Sequence, residues 1–182
     1  MFLIANQGAV IDKSSSEGIR DFYSLLAILE GLSVEWAIPT IPAEDIASLV
    51  DINNYIKEIS TNDNKYLEDR SKLNIAFHKI FRQKCNNQKM DWLIEEIRIR
   101  ITRYRYVSVM KSAFNDYIRD HEKIIEAAER KRPRQGRRAM EAHVTRAKDV
   151  ILDFFPSSDD VISKDFSPPF YRSVEKPVDA FE

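Results

Sequence analysis

The stretch DHEKIIEAAERKRPRQGRRAMEAHV, residues 120–144, decides the fold class. Before its basic centre, Tyr117, Ile118, Ile124, Ile125 and Ala128 recur at three- and four-residue spacing, the period of one helix face. After it, Met140, Val144, Ala147, Val150 and Ile151 do the same. Between them, Arg130–Arg138 holds six Lys or Arg in nine residues around Pro133, which separates the two helices. The spacing predicts helices over about 113–129 and 135–154, the second ended by Pro156. His121 lies inside the first apolar stripe and His143 inside the second.

Working outward, the same period recurs. Phe22, Leu25, Leu26, Leu29, Leu32 and Trp36 form the apolar face expected of a first helix, opened by a capping box of Ser14 and Glu17 and ending near Ala37. Pro39 and Pro42 lead into a second helix with Ile46, Leu49, Val50, Ile52 and Ile56, reaching about Ile59. Residues 61–64 read as a turn. A third helix covers about 65–85 with Leu73, Phe77, Ile80 and Phe81, and Asn86-Asn87 breaks it. A fourth runs from about Lys89 to Tyr106 with Met90, Leu93, Ile94, Ile97, Ile101 and Tyr104, while 107–112 stay ambiguous. With mostly short connections and no strand pair, the expected fold is all-α: an antiparallel bundle of six or seven helices. It occupies residues 16–156, after a lead-in at 1–15 and before a Pro-rich tail at 157–182.

Composition narrows the function. The 182 residues are 43% apolar and 31% charged with a net charge of −1, so no strong overall attraction to nucleic acid or membrane is expected. Residues 1–60 carry 3 basic and 9 acidic side chains, whereas 96–148 carry 15 basic and 7 acidic. The Arg130–Arg138 run lacks interleaved aromatics and reads as a solvated loop and helix start rather than a phosphate-binding site. One cysteine, Cys85, excludes an internal disulfide framework and suits a reducing compartment. No apolar run approaches the ~20 residues of a membrane span, and the N-terminal MFLIA is too short for a signal peptide. A cytoplasmic protein is the expectation.

Three histidines, His78, His121 and His143, each fall on the apolar face of a different helix. Asn74 precedes His78 by one turn and projects from the same face. Neutral imidazoles suit a divalent ion: zinc or nickel foremost, manganese or iron as alternatives. An amide ligand in place of a carboxylate leaves the site more positive and favours an anionic ligand. The competing reading is three core histidines in a metal-free helical interaction domain. A metal-dependent hydrolase is the third, but no H-E-x-x-H is present, and the positions three before the histidines are Ile75, Ile118 and Met140. No catalytic residue is assigned. Arg100, at helical spacing among Ile97, Ile101 and Tyr104, is a candidate for bidentate binding of a carboxylate; the alternative is a buried ion pair with Glu30 or Glu35, or a side chain that snorkels to solvent.

Three segments resemble a known family. LLAILEGLSVEWA (25–37), LNIAFHKIF (73–81) and the opening 120–144 stretch are similar to the FCD class of effector domains, the C-terminal domains of GntR-family transcription regulators. The resemblance spans Asp21 to about Phe155. It implies a metal held by Asn74, His78, His121 and His143 beneath a pocket for a small organic acid, with Arg100 matching an arginine of the family's fourth helix. It further implies a non-enzymatic sensor and a homodimer. DNA contact would come only through a winged-helix domain, of which NQGAVI (6–11) resembles the last wing strand and linker. Two positions depart from the family pattern. Leu26 stands where many relatives carry an arginine, and the basic run around Pro133 replaces a Gly-Asp.

Overall fold

The structure, a computed structural model, describes residues 16–59, 66–111 and 114–154, the side chains of 103–115 excepted. The lead-in with Ser14 and the 157–182 tail lie outside the described residues. Within them the chain forms six helices: α1 Ser16–Ala37, α2 Ala43–Glu58, α3 Leu67–Lys84, α4 Gln88–Lys111, α5 Phe114–Glu129 and α6 Pro133–Phe154. The all-α bundle is as expected, and no strand is present among the described residues. The fourth helix continues through the stretch whose sequence was ambiguous, to Lys111.

Helix α1 packs chiefly on α6, α5 packs on α6, and α2 bridges α3 and α5. Helix α4 lies against α1, α3 and α6. The α1–α6 pair is antiparallel: Gly136 sits by Val34 and Ile38, Arg137 pairs with Glu35, and Gly31 abuts Glu141. The buried face of α1 is not the expected one. Tyr23, Leu26, Ala27, Glu30, Gly31, Val34 and Ala37 face inward, while Leu25 and Trp36 are 53% and 46% exposed. Small residues bring α1 close to α6. A reading weighted by large apolar side chains therefore selects the neighbouring stripe.

The junctions have local causes. Asn86 takes the left-handed conformation that ends α3 (φ 56°), and the Asn87 side-chain oxygen accepts the N–H of Met90 to start α4. Pro133, expected between helices, is the first residue of α6, where its missing N–H costs nothing. Before it, Lys131 adopts φ 50°, and its Nζ donates to the carbonyls of Ile38 and Ile41 beyond the end of α1, at 3.3 and 2.7 Å. Two of the six cations of the basic run thus have partners within the bundle: Lys131 in this cap, Arg137 in ion pairs with Glu35 and Glu141.

Candidate metal centre

Histidine ligands must be delivered neutral, close together and with one ring nitrogen free. Helix α3 presents Asn74 and His78, α5 presents His121, and α6 presents His143. All four residues are buried. Ring centroids lie 4.8 Å apart for His121–His143, 5.3 Å for His78–His143 and 6.2 Å for His78–His121. One nitrogen from each ring lies within 4.8 Å of the other two. Three nitrogens bonded to one ion at about 2.1 Å are roughly 3.4 Å apart in tetrahedral geometry, so nitrogens as far apart as 4.8 Å would have to approach by about 1.4 Å. His121 is clamped between neighbours, stacked face to face on Phe77 at 3.8 Å and tilted against Tyr117 at 4.5 Å.

Each imidazole has an oxygen-bearing neighbour on its Nδ1 side, and each neighbour comes from a different place in the chain. Glu30 Oε2 lies 3.3 Å from His78 Nδ1. Asn53 Oδ1, on α2, lies 3.1 Å from His121 Nδ1. Asp120 Oδ2 is 3.9 Å from His143 Nδ1 and also accepts from Arg146 Nε at 2.9 Å. Of the three, the Asn53 contact is a hydrogen bond that can hold the proton on His121 Nδ1 and leave Nε2 as the ligand atom; Glu30 and Asp120 lie at ion-pair distance, and His78 Nδ1 and Glu30 Oε2 are themselves buried without a hydrogen-bond partner. The Nε2 of His121 and the Oδ1 of Asn74 are both buried with no hydrogen-bond partner. Buried orphan polar atoms are costly, and these two are residues that the sequence nominates as ligands. The donor set of three imidazoles and one amide oxygen fits a borderline divalent ion.

Electrostatics keep the rings neutral. Burial pushes His143 down to about 3 from the usual 6.5, with His78 adding to the effect. Burial lowers His121 well below its ordinary value, helped by His143 and His78. Burial also lowers His78, against the opposing pull of Glu30. For Glu30 burial acts upward, but His78, Arg98 and Arg82 together outweigh it and hold the carboxyl at about 2. Neutral imidazoles beside an ionised carboxylate are the states that metal binding requires.

The histidines border a cavity between α1, α3, α4, α5 and α6, lined among others by Leu26, Glu30, Asn74, His78, Arg98, Tyr117 and His143. It has about 50 Å³ of room for the centres of water-sized molecules, enough for three to five waters at about 10–15 Å³ each. Arg98 is the buried cation here, with Nη1 donating to Glu30 Oε1 at 2.6 Å. Arg100 is not part of it: its side chain is 52% exposed and pairs with Glu96 one turn back. The inward face of α4 runs through Met90, Ile94, Arg98 and Ile101, and Arg100 is turned away from that stripe. The register of Ile94 and Ile101 could have singled out Arg98. The sequence offers Glu30 as a possible ion-pair partner for an arginine of α4, and the structure makes that arginine Arg98; Asn53 gives no signal, because it looks like an ordinary polar residue on a surface helix.

A family model described as the FCD domain matches residues 21–146. Among solved structures, the chain is similar to a transcriptional regulator (GntR family member) from Pseudomonas syringae pv. tomato str. DC3000, at 20% identity and a TM-score of 0.62. The match covers 79% of this chain and 59% of that one, so the chain spans about three fifths of that protein's length. No curated protein matches the chain. No helix among the described residues is long and apolar enough to cross a membrane.

Proposed function

Because the chain belongs to the FCD domain family, we propose that it is the metal-containing sensor domain of a GntR-type transcription regulator and binds a small organic acid. Asn74, His78, His121 and His143 are the ligands, and zinc or nickel is the preferred ion. Bound there, the ion supplies a positive charge and open coordination positions for an anionic oxygen. The chain's own part is to hold four neutral donors in place and to keep Arg98 in the cavity beside them. Signalling then follows from any difference in ligand affinity between two arrangements of the attached domains.

The observation that carries this reading is the pair of buried, unpartnered atoms, His121 Nε2 and Asn74 Oδ1, beside the convergent histidines. A hydrolase is a poorer fit. The carboxylates nearest the rings, Glu30 and Asp120, are held by Arg98 and Arg146, which leaves neither poised as a general base. The test is metal analysis of protein purified without a polyhistidine tag, with His121→Ala beside it. A bound divalent ion that His121→Ala loses is expected. A wild-type protein that neither retains nor takes up zinc or nickel overturns the reading.

A further inference from the structure

One contact in the cavity sits badly with a simple carboxylate receptor. Arg98 is the one buried arginine among the cavity-lining residues described, and Leu26 stands where a second cation would help. Yet Arg98 is already neutralised: Glu30, fully buried, holds its Nη1 at 2.6 Å. The other oxygen of the same carboxylate lies 3.3 Å from the Nδ1 of His78. Glu30 therefore stands between the cation that would receive an anion and an imidazole that would hold a metal.

We propose that Glu30 is an internal surrogate for the ligand carboxylate, occupying Arg98 while the cavity lacks an anion and tying the affinity for anion to the affinity for metal through His78. This rests on the reading of the site as a metal-containing carboxylate sensor. Two consequences follow from charge alone. Without metal, an incoming carboxylate meets an arginine that is already paired and a carboxylate of like charge beside it, so it binds poorly. With a divalent ion in place the site gains two positive charges that three imidazoles and an amide do not offset, and the anion becomes favourable. The same carboxylate supports His78 from behind, and such outer partners typically contribute 10–100-fold to metal affinity. Glu30 thus opposes the anion and assists the metal, which makes anion binding conditional on metal.

The distinguishing variant is Glu30→Gln, which keeps the shape and removes the charge. Zinc alone and acetate alone, the latter small enough for the cavity, are titrated calorimetrically into the wild type and the variant. Acetate is also titrated after zinc loading. The variant is expected to bind zinc 10–100-fold more weakly and metal-free acetate at least 10-fold more tightly. Adding Arg98→Gln should abolish the acetate gain. A purely structural Glu30 would weaken both affinities together, and that outcome overturns the proposal, as does an unchanged acetate affinity in the metal-free variant. If Glu30→Gln loses its helical circular dichroism, Glu30→Asp draws the carboxylate back by one methylene and should move the two affinities in the same opposite directions by smaller factors. Parallel losses there overturn the proposal too. Failure of the metal reading has a separate signature: wild type that binds no zinc, whatever acetate does in the metal-free variant.

Discussion

The two ends of the α1–α6 contact differ in kind. Toward the C-terminus of α1 the helices touch through Gly31 and Gly136 with no room to spare, and Arg137 and Lys131 tie the outside. Toward its N-terminus the same helices line a cavity, with Tyr23 and Leu26 facing Val144, Ala147 and Val150 across it. One end is close-packed and apolar inside. The other encloses Glu30, Arg98 and His143 within a few ångströms of unfilled space. Both stretches come from the same pair of helices, glycines at one end and larger side chains around a cavity at the other. The close-packed end can contribute stability, because glycine lets dispersion contacts form between helices. The hollow end lowers stability, because it buries charge and leaves polar atoms without partners.

Adding zinc should have the largest effect on this contrast. Zinc at about a thousand times its Kd should stabilise the domain by roughly 4 kcal/mol, seen as a rise in the urea midpoint. His121→Ala should remove that gain. A midpoint unmoved by zinc would mean that the hollow end is only a packing defect.

Acidification of chelator-treated protein should come next. Buried His143 titrates at about 3 when folded, against an ordinary 6.5. The unfolded chain therefore takes up the proton first. The stability that His143 confers on the neutral fold is complete above about pH 6.5 and is lost as the pH falls toward 3, by about 3 kcal/mol at pH 4. His121 and His78 shift in the same direction and add to the loss. Glu30, held at about 2, adds a further loss only below its ordinary 4.5. Urea midpoints at pH 7.5, 6, 5 and 4 would check this, and a flat series would contradict it.

At the close-packed end the two glycines should separate. A Cβ on Gly136 would lie 2.8 Å from Val34 Cγ1 and 2.4 Å from Ile38 Cδ1, in a buried and stiff surrounding. Gly136→Ala should destabilise by about 1–2 kcal/mol despite its better helix propensity. A Cβ on Gly31 meets the Glu141 side chain, at 2.6 Å from Cγ, and that chain moves aside at the expense of its ion pair with Arg137, a partly exposed pair that contributes up to about 1 kcal/mol. Gly31→Ala should lie within about 0.5 kcal/mol of wild type, since the propensity gain of up to ~1 kcal/mol offsets the adjustment. Equal effects at the two positions would show that α1 and α6 can shift apart.

The smallest effect belongs to Arg100→Ala. This exposed i,i+4 pair with Glu96 contributes about 0.3–0.5 kcal/mol, and its loss should leave acetate and zinc affinities alone. A change in either affinity would return Arg100 to the site.

The same contrast explains what could be read in the sequence. Helix positions, the bundle and the three histidines were legible because apolar periodicity and rare residue types survive without coordinates. The buried face of α1 escapes a hydropathy reading because Ala27, Gly31 and Ser33, all buried, carry little hydropathy. Arg98 and Arg100 lie two residues apart on a helix whose apolar stripe is broad, so periodicity alone does not separate the buried arginine from the exposed one. Glu30 is legible only as one of two possible partners, with Glu35, for an arginine of α4, and Asn53 not at all, for another reason. Their roles are pairings across long stretches of chain, with Arg98 and His78 in one case and His121 in the other, and periodicity is silent about partners.

Lys131 has a consequence for which substitutions this fold can tolerate. A left-handed residue with a side chain costs roughly 1–2 kcal/mol, and here the cost is set against two hydrogen bonds from the ammonium to Ile38 and Ile41. Glycine would relieve the strain and lose the bonds; lysine keeps both. Alanine would keep the strain and lose the bonds, so it stands below either neighbour. The turn between α5 and α6 therefore has two favourable solutions, a bare backbone or a long cation, separated by a dip that single conservative steps must cross.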